Sequence, residues 1–151
     1  MNTPKPFIVL LVEDEPADAH LVKVALRENR LLVDLHITRD GVEALQFLRR
    51  QGKYGQYDGA APRPNLILLD LNMPRMDGRE FLTVVKDDPA LSDIPVVVLT
   101  TSDVERDVVA SYQLCAASYI TKPVDMEQFS SAIRGLGDYW FTLVRLPERG
   151  L

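Results

Sequence analysis

The chain has a single cysteine, no excess of basic residues and no long apolar run. Cys115 has no partner for an internal disulfide and reads as a small apolar residue on a helix face. Seventeen Lys and Arg against twenty-two Asp and Glu give a net charge of −5, which supplies no broad cationic field for nucleic acid or anionic lipid. The apolar runs are far too short to span a bilayer. The opening residues "MNTPKP" lack the charged-then-apolar build of a secretory signal, so a cytoplasmic location is expected. Repeats and low-complexity tracts are also missing.

What the chain does have is alternation. "FIVLLV" (7–12) precedes "PADAHLVKVALREN", in which Ala17, Leu21, Val24 and Ala25 recur at helical spacing. "VDLHIT" (33–38) precedes Asp40, placed to cap a helix carrying Val42, Leu45 and Leu48. "LILLDL" leads through a loop to "GREFLTVVKD". "PVVVLTT" (95–101) leads to a stretch where Ser102 and Glu105 have capping-box spacing. "SYITKP" (118–123) leads to a last helical stretch with Phe129, Ile133, Leu136 and Trp140 on one side. Five strand–helix pairs in series, several with strands apolar throughout, predict an α/β domain with a doubly wound five-stranded parallel sheet. Right-handed crossovers place all strand C-termini on one edge, where such sheets bind ligands.

That edge collects chemistry. Strand one delivers Glu13 and Asp14, strand three Asp70, strand four Thr100, and strand five Lys122 followed by Pro123. Two carboxylates about 5.5 Å apart repel by about 3 kcal/mol at an effective dielectric near 20, so the group calls for a cation. Mg2+ suits one or two carboxylates, a carbonyl and several waters. Asp14 and Asp70 are the natural direct ligands, Glu13 acts through water, and a loop carbonyl near Asn72 completes the set. A carboxylate beside Mg2+ is also a nucleophile able to form an acyl phosphate, with Lys122 and the Thr100 hydroxyl for the phosphoryl oxygens. Taken singly these residues have plain readings as solvated acids, a β-former and a surface lysine; only their convergence argues otherwise.

In order and context, Glu13-Asp14, Asp70 in "LLDLNMPRMDG", Thr100 in "VVVLTT" and Lys122 in "YITKP" resemble the receiver domains of two-component response regulators over roughly residues 7–136. The resemblance implies a flavodoxin-like strand order 2-1-3-4-5. It makes Asp70 the phosphoacceptor, charged from a phosphohistidine on a sensor histidine kinase. Glu13, Asp14, Asp70 and the Asn72 carbonyl hold Mg2+, and Thr100 with Tyr119 forms the switch pair. It also implies a cis Lys122–Pro123 bond and a tuning role for Asn72 and Ser102, while Thr101 stands where many receivers carry a smaller residue. Output is expected through protein contacts rather than catalytic turnover.

A narrower resemblance rests on the Gly/Tyr/Pro-rich loop "QGKYGQYDGAAPRP" and the tail "GDYWFTLVRLP", which look like the small regulators that partner cyanobacterial phytochromes. Residues 1–6 read as an N-terminal tail and 137–151 as a C-terminal extension for dimerisation or packing. Its Tyr139, Trp140, Phe141, Leu143, Val144 and Leu146 predict a homodimer through the C-terminal helix and extension. Two rival classes fit less well. An aspartate-nucleophile phosphatase needs an acid two residues after the nucleophile, where this chain has Asn72. A flavin or nucleotide binder needs a phosphate-cradling loop where "VEDEPAD" is acidic.

Overall fold

A computed structural model describes residues 7–28, 33–55, 61–71, 73, 75–100, 118–122 and 127–129. Five strands, β1 (Phe7–Val12), β2 (Val33–Thr38), β3 (Leu66–Asp70), β4 (Val96–Thr100) and β5 (Ser118–Thr121), pair in parallel in the order β2-β1-β3-β4-β5. This is the doubly wound arrangement expected from the apolar strands. Every residue of β3 and β4 is buried, because helices cover both faces of the sheet.

Strand alternation splits the core in two. Leu10, Val12, Ile67, Leu69, Val96 and Val98 face α2 (Gly41–Arg49) and α3 (Gly78–Asp87), meeting Ala44, Leu45, Phe47, Phe81, Leu82 and Val85. Val9, Leu11, Leu66, Leu68, Val97, Leu99 and Ile120 face the other way, onto α1 (Pro16–Glu28) and Phe129. Gly78, which opens α3, lies so close to the end of β3 that an added Cβ would meet Asp70 O at 2.6 Å.

Local signals set the helix starts. Pro16 opens α1, where its missing N–H is not needed. Asp40 caps α2 by accepting the Glu43 N–H at 2.8 Å, as expected, and Asp77 caps α3 by accepting the Glu80 N–H at 3.0 Å. The buried stripe of α1 differs from the expected one. Ala19, Val22 and Leu26 are buried, whereas Ala17 and Leu21 are exposed and Val24 and Ala25 half-buried. Two overlapping apolar stripes exist on this helix, and its docking angle on the sheet selects between them.

The loop after α2 is pinned at both ends. Gly52–Tyr54 form one 3-10 turn, the Tyr54 hydroxyl donates to Glu43 Oε1 at 3.0 Å, and its ring meets Phe47 edge-on at 5.1 Å. Arg50 Nε donates to Ala61 O at 2.7 Å, and the Ala61 N–H donates to Tyr54 O at 3.1 Å. Burial and the Glu43 carboxylate push the Tyr54 phenol up to about 12. Phe129 is fully buried against the α1 face, which makes it a core residue. The fourth helix, Ser102, Pro123, Cys115 and the 137–151 extension lie outside the described residues.

Candidate functional site

The chain reverses its direction of winding between β1 and β3, leaving a crevice at their C-terminal ends. Glu13 continues β1 by one residue, its N–H donating to Thr38 O at 2.9 Å. Asp70 is the last residue of β3 and Thr100 the last of β4. Lys122 follows β5 and is fixed to the neighbouring strand end by its own N–H, which donates to Thr100 O at 2.7 Å. The parallel strands thus end on one edge of the sheet, where Glu13, Asp70 and Lys122 meet.

Glu13, Asp14 and Asp70 each place one carboxylate oxygen within 4.8 Å of the others. Glu13 and Asp70 are buried and Asp14 is half-buried. Two full charges at 4.8 Å would repel by about 3 kcal/mol at an effective dielectric of about 20. Lys122 provides the relief. Its Nζ lies 2.9 Å from Glu13 Oε2, 3.0 Å from Asp18 Oδ2 and 3.5 Å from Asp70 Oδ2. The Glu13 contact is an ion pair that leaves Oε2 without a well-directed donor.

Burial would lower the Lys122 pKa, but its close pairing with the Glu13 and Asp18 carboxylates and the charge of Asp70 outweigh that and hold it above the usual lysine value. Burial, reinforced by the Asp70 charge, pushes Glu13 up to about 7 against the lowering pull of Lys122.

The Thr100 hydroxyl is fully buried and has no hydrogen-bond partner among the described residues. An unpartnered buried hydroxyl is costly, and this one stands at the end of β4, the strand beside the β3 that ends on Asp70. Tyr119, on β5, is half-buried against the α2/α3 side of the core. Asn72 lies outside the described residues. A cleft of about 260 Å³ opens beside Glu13 and Asp14, with Lys23 and Arg39 among its lining residues. The donor set fits a small divalent cation: hard carboxylate oxygens, clustered, with one side facing a cleft.

Asp18 was not expected here. Its signal was faint: it sits one helical turn after Asp14, and nothing in the spacing says that it faces Lys122, 104 positions away.

Comparison with known proteins decides the family. Residues 9–134 match the model of the response regulator receiver domain. The chain is a response regulator receiver domain. It is 47% identical over 146 residues to Response regulator Rcp1 of Synechocystis sp., covering 97% of this chain and 95% of that protein. The Mn2+-bound crystal structure of Rcp1 is 46% identical and superposes with a TM-score of 0.69, covering 95% of this chain and 100% of that one. The bacteriophytochrome response regulator AtBRR is 41% identical with a TM-score of 0.81, covering 88% and 94% of the two chains. The phosphorylated cyanobacterial phytochrome response regulator RcpA is 43% identical with a TM-score of 0.69, covering 89% and 94%. The resemblance to phytochrome regulators read from the loop and tail is thereby borne out.

The receiver is thus a signalling protein of two-component systems, whose role is to be phosphorylated on an aspartate. Among its described residues no helix is long and apolar enough to cross a membrane.

Proposed function

We propose that this receiver accepts a phosphoryl group on Asp70 from a phosphohistidine of a sensor histidine kinase, a phytochrome by analogy with Rcp1 and RcpA. A single observation carries the reading: the Glu13, Asp14 and Asp70 carboxylates converge within 4.8 Å beside the half-buried Lys122. Glu13, Asp14 and Asp70 hold Mg2+, with the Asn72 carbonyl as the expected further ligand. When bound, Mg2+ supplies positive charge to the carboxylates and to the oxygens of the incoming phosphoryl group.

A carboxylate oxygen of Asp70 attacks phosphorus as the donor's N–P bond breaks, and the imidazole nitrogen keeps the electron pair and takes up a proton. The product is an acyl phosphate on Asp70. Lys122, 3.5 Å from Asp70 Oδ2, pairs with the new negative charge, and the buried Thr100 hydroxyl donates to a phosphoryl oxygen. That closure at Thr100 biases Tyr119 inward and changes the surface offered to partners. Water later cleaves the acyl phosphate at the same site, so the protein assists its own dephosphorylation and turns over no separate substrate.

Binding of a second copy through the C-terminal helix and extension, a cytoplasmic setting and an output through protein contacts complete the reading. The acidic balance of −5 supports protein rather than nucleic-acid or lipid partners.

The test is intact mass after incubation with Mg2+ and a small acyl-phosphate donor, wild type beside Asp70→Asn. One phosphoryl adduct on the wild type, lost with Mg2+ and missing from the variant, is expected. An adduct on Asp70→Asn of equal yield would place the acceptor elsewhere.

A further inference from the structure

Asp40 and Arg75 join two loops that lie 35 positions apart in the chain. Arg75 Nε and Nη2 lie 2.8 and 2.6 Å from Asp40 Oδ2, while Oδ1 of the same carboxylate accepts the Glu43 N–H. The Asp40 side chain is only 8% exposed, and a carboxylate so buried needs partners on both oxygens. Arg75 holds a φ of 62°, a left-handed conformation uncommon for residues other than Gly, Asn and Asp. The ion pair offsets that backbone cost.

The same two loops also touch through their backbones. The Gly41 N–H donates to Met76 O at 3.2 Å, and a Cβ on Gly41 would lie 2.7 Å from the Met76 side chain. At the other end of the Met76 loop, the Gly78 N–H donates to Leu71 O at 2.9 Å. The segment leaving Asp70 is therefore tied at its base to α3 and at Arg75 and Met76 to the start of α2. Neither Asp40 nor Arg75 belongs to the acidic cluster.

We propose that the Asp40–Arg75 pair is a positioning device for the metal site. It ties Arg75 and Met76 to the start of α2, and so fixes the course on which the chain leaves Asp70 beside the acidic cluster. The proposal rests on the reading above that Glu13, Asp14 and Asp70 hold Mg2+.

Two variants remove the pair without removing the fold. Arg75→Gly keeps the left-handed backbone without strain, and Asp40→Asn keeps an acceptor for the α2 cap. Mg2+ affinity is measured by calorimetry on the full chain, alongside metal-free melting and the rate of adduct formation from an acyl phosphate at saturating Mg2+. Each variant is expected to weaken Mg2+ binding by about tenfold, as outer residues of metal sites do. The double variant should be no worse than the weaker single, because one interaction is lost in all three. Arg75→Lys, which restores a cation, should recover part of the affinity.

Mg2+ affinity within about twofold of wild type in both single variants, whatever the melting temperature does, overturns the proposal. Wild type that binds no Mg2+ overturns it as well. Wild type that binds Mg2+ but takes no adduct, with affinity still falling in Arg75→Gly, removes the phosphoacceptor reading and sustains the positioning role.

Discussion

Lys122 Nζ stands 2.9 Å from Glu13 Oε2, nearer than its 3.5 Å approach to Asp70 Oδ2. Without a divalent cation, the lysine neutralises the cluster that the metal would otherwise occupy. Lys122→Met should therefore strengthen Mg2+ binding by at least about tenfold, since a unit charge at 4 Å is worth about 4 kcal/mol at an effective dielectric of 20 before screening. Adduct formation should slow in the same variant, because the charge that pairs with the phosphoryl group is gone. A calorimetric Mg2+ titration beside adduct kinetics checks both; unchanged affinity would show that the lysine does not compete with the cation.

Relief of carboxylate repulsion also makes Mg2+ a stabiliser. At one hundred times its dissociation constant, a ligand bound only by the folded state adds about 2.7 kcal/mol. For a domain of this size, that raises the melting temperature by roughly 5–10 °C. Asp14→Asn should remove most of the rise, as read by thermal melting with and without Mg2+.

Thr100 separates stability from signalling. Its hydroxyl is buried and unpartnered among the described residues, so replacement by the isosteric valine should leave the metal-free protein as stable or about 1 kcal/mol more stable. Thr100→Val should still gain phosphate on Asp70 but lose the coupled change at Tyr119. Hydrogen exchange of β5 amides, with and without the phosphoryl donor, reads that coupling. A fall of several kcal/mol in stability would mean that the hydroxyl already has a strong partner.

Tyr54 gives the pH dependence. Its phenol is raised from its ordinary value near 10 to about 12 by burial and by the hydrogen bond to Glu43. The folded state therefore holds the proton more tightly than the unfolded chain. The stabilisation is complete below pH 10 and is lost as pH rises through about 12. Tyr54→Phe should cost about 1 kcal/mol near neutral pH. The gap between variant and wild type should close as pH climbs through that window, which alkaline urea melts would follow.

Phe129 tests packing, not association. Because it is fully buried against α1 and the sheet, Phe129→Ala should destabilise the chain by about 3–5 kcal/mol. Dimerisation is better tested with Trp140→Ala by light scattering. A variant mass unchanged from a dimeric wild type would remove the extension from the interface.

The strands and the acids at their ends were legible in the sequence because each is a local signal, whereas the order 2-1-3-4-5 came with the resemblance to receiver domains. An apolar run closing on Asp70, Thr100 or Lys122 states which edge its last residue reaches, and the alternation of strands with helices states that these edges coincide. Asp40 as a helix cap was equally local, its acceptor lying three residues from the N–H it serves.

Tertiary structure decided what depends on the angle and depth at which elements dock. It chose Ala19, Val22 and Leu26 over the Ala17 and Leu21 stripe, and turned Asp18 towards Lys122 across 104 positions. It also gave the second oxygen of Asp40 to Arg75 and sank Phe129 into the core. Periodicity names the faces of an element and composition names its charges, but only packing fixes which distant face or charge each one meets.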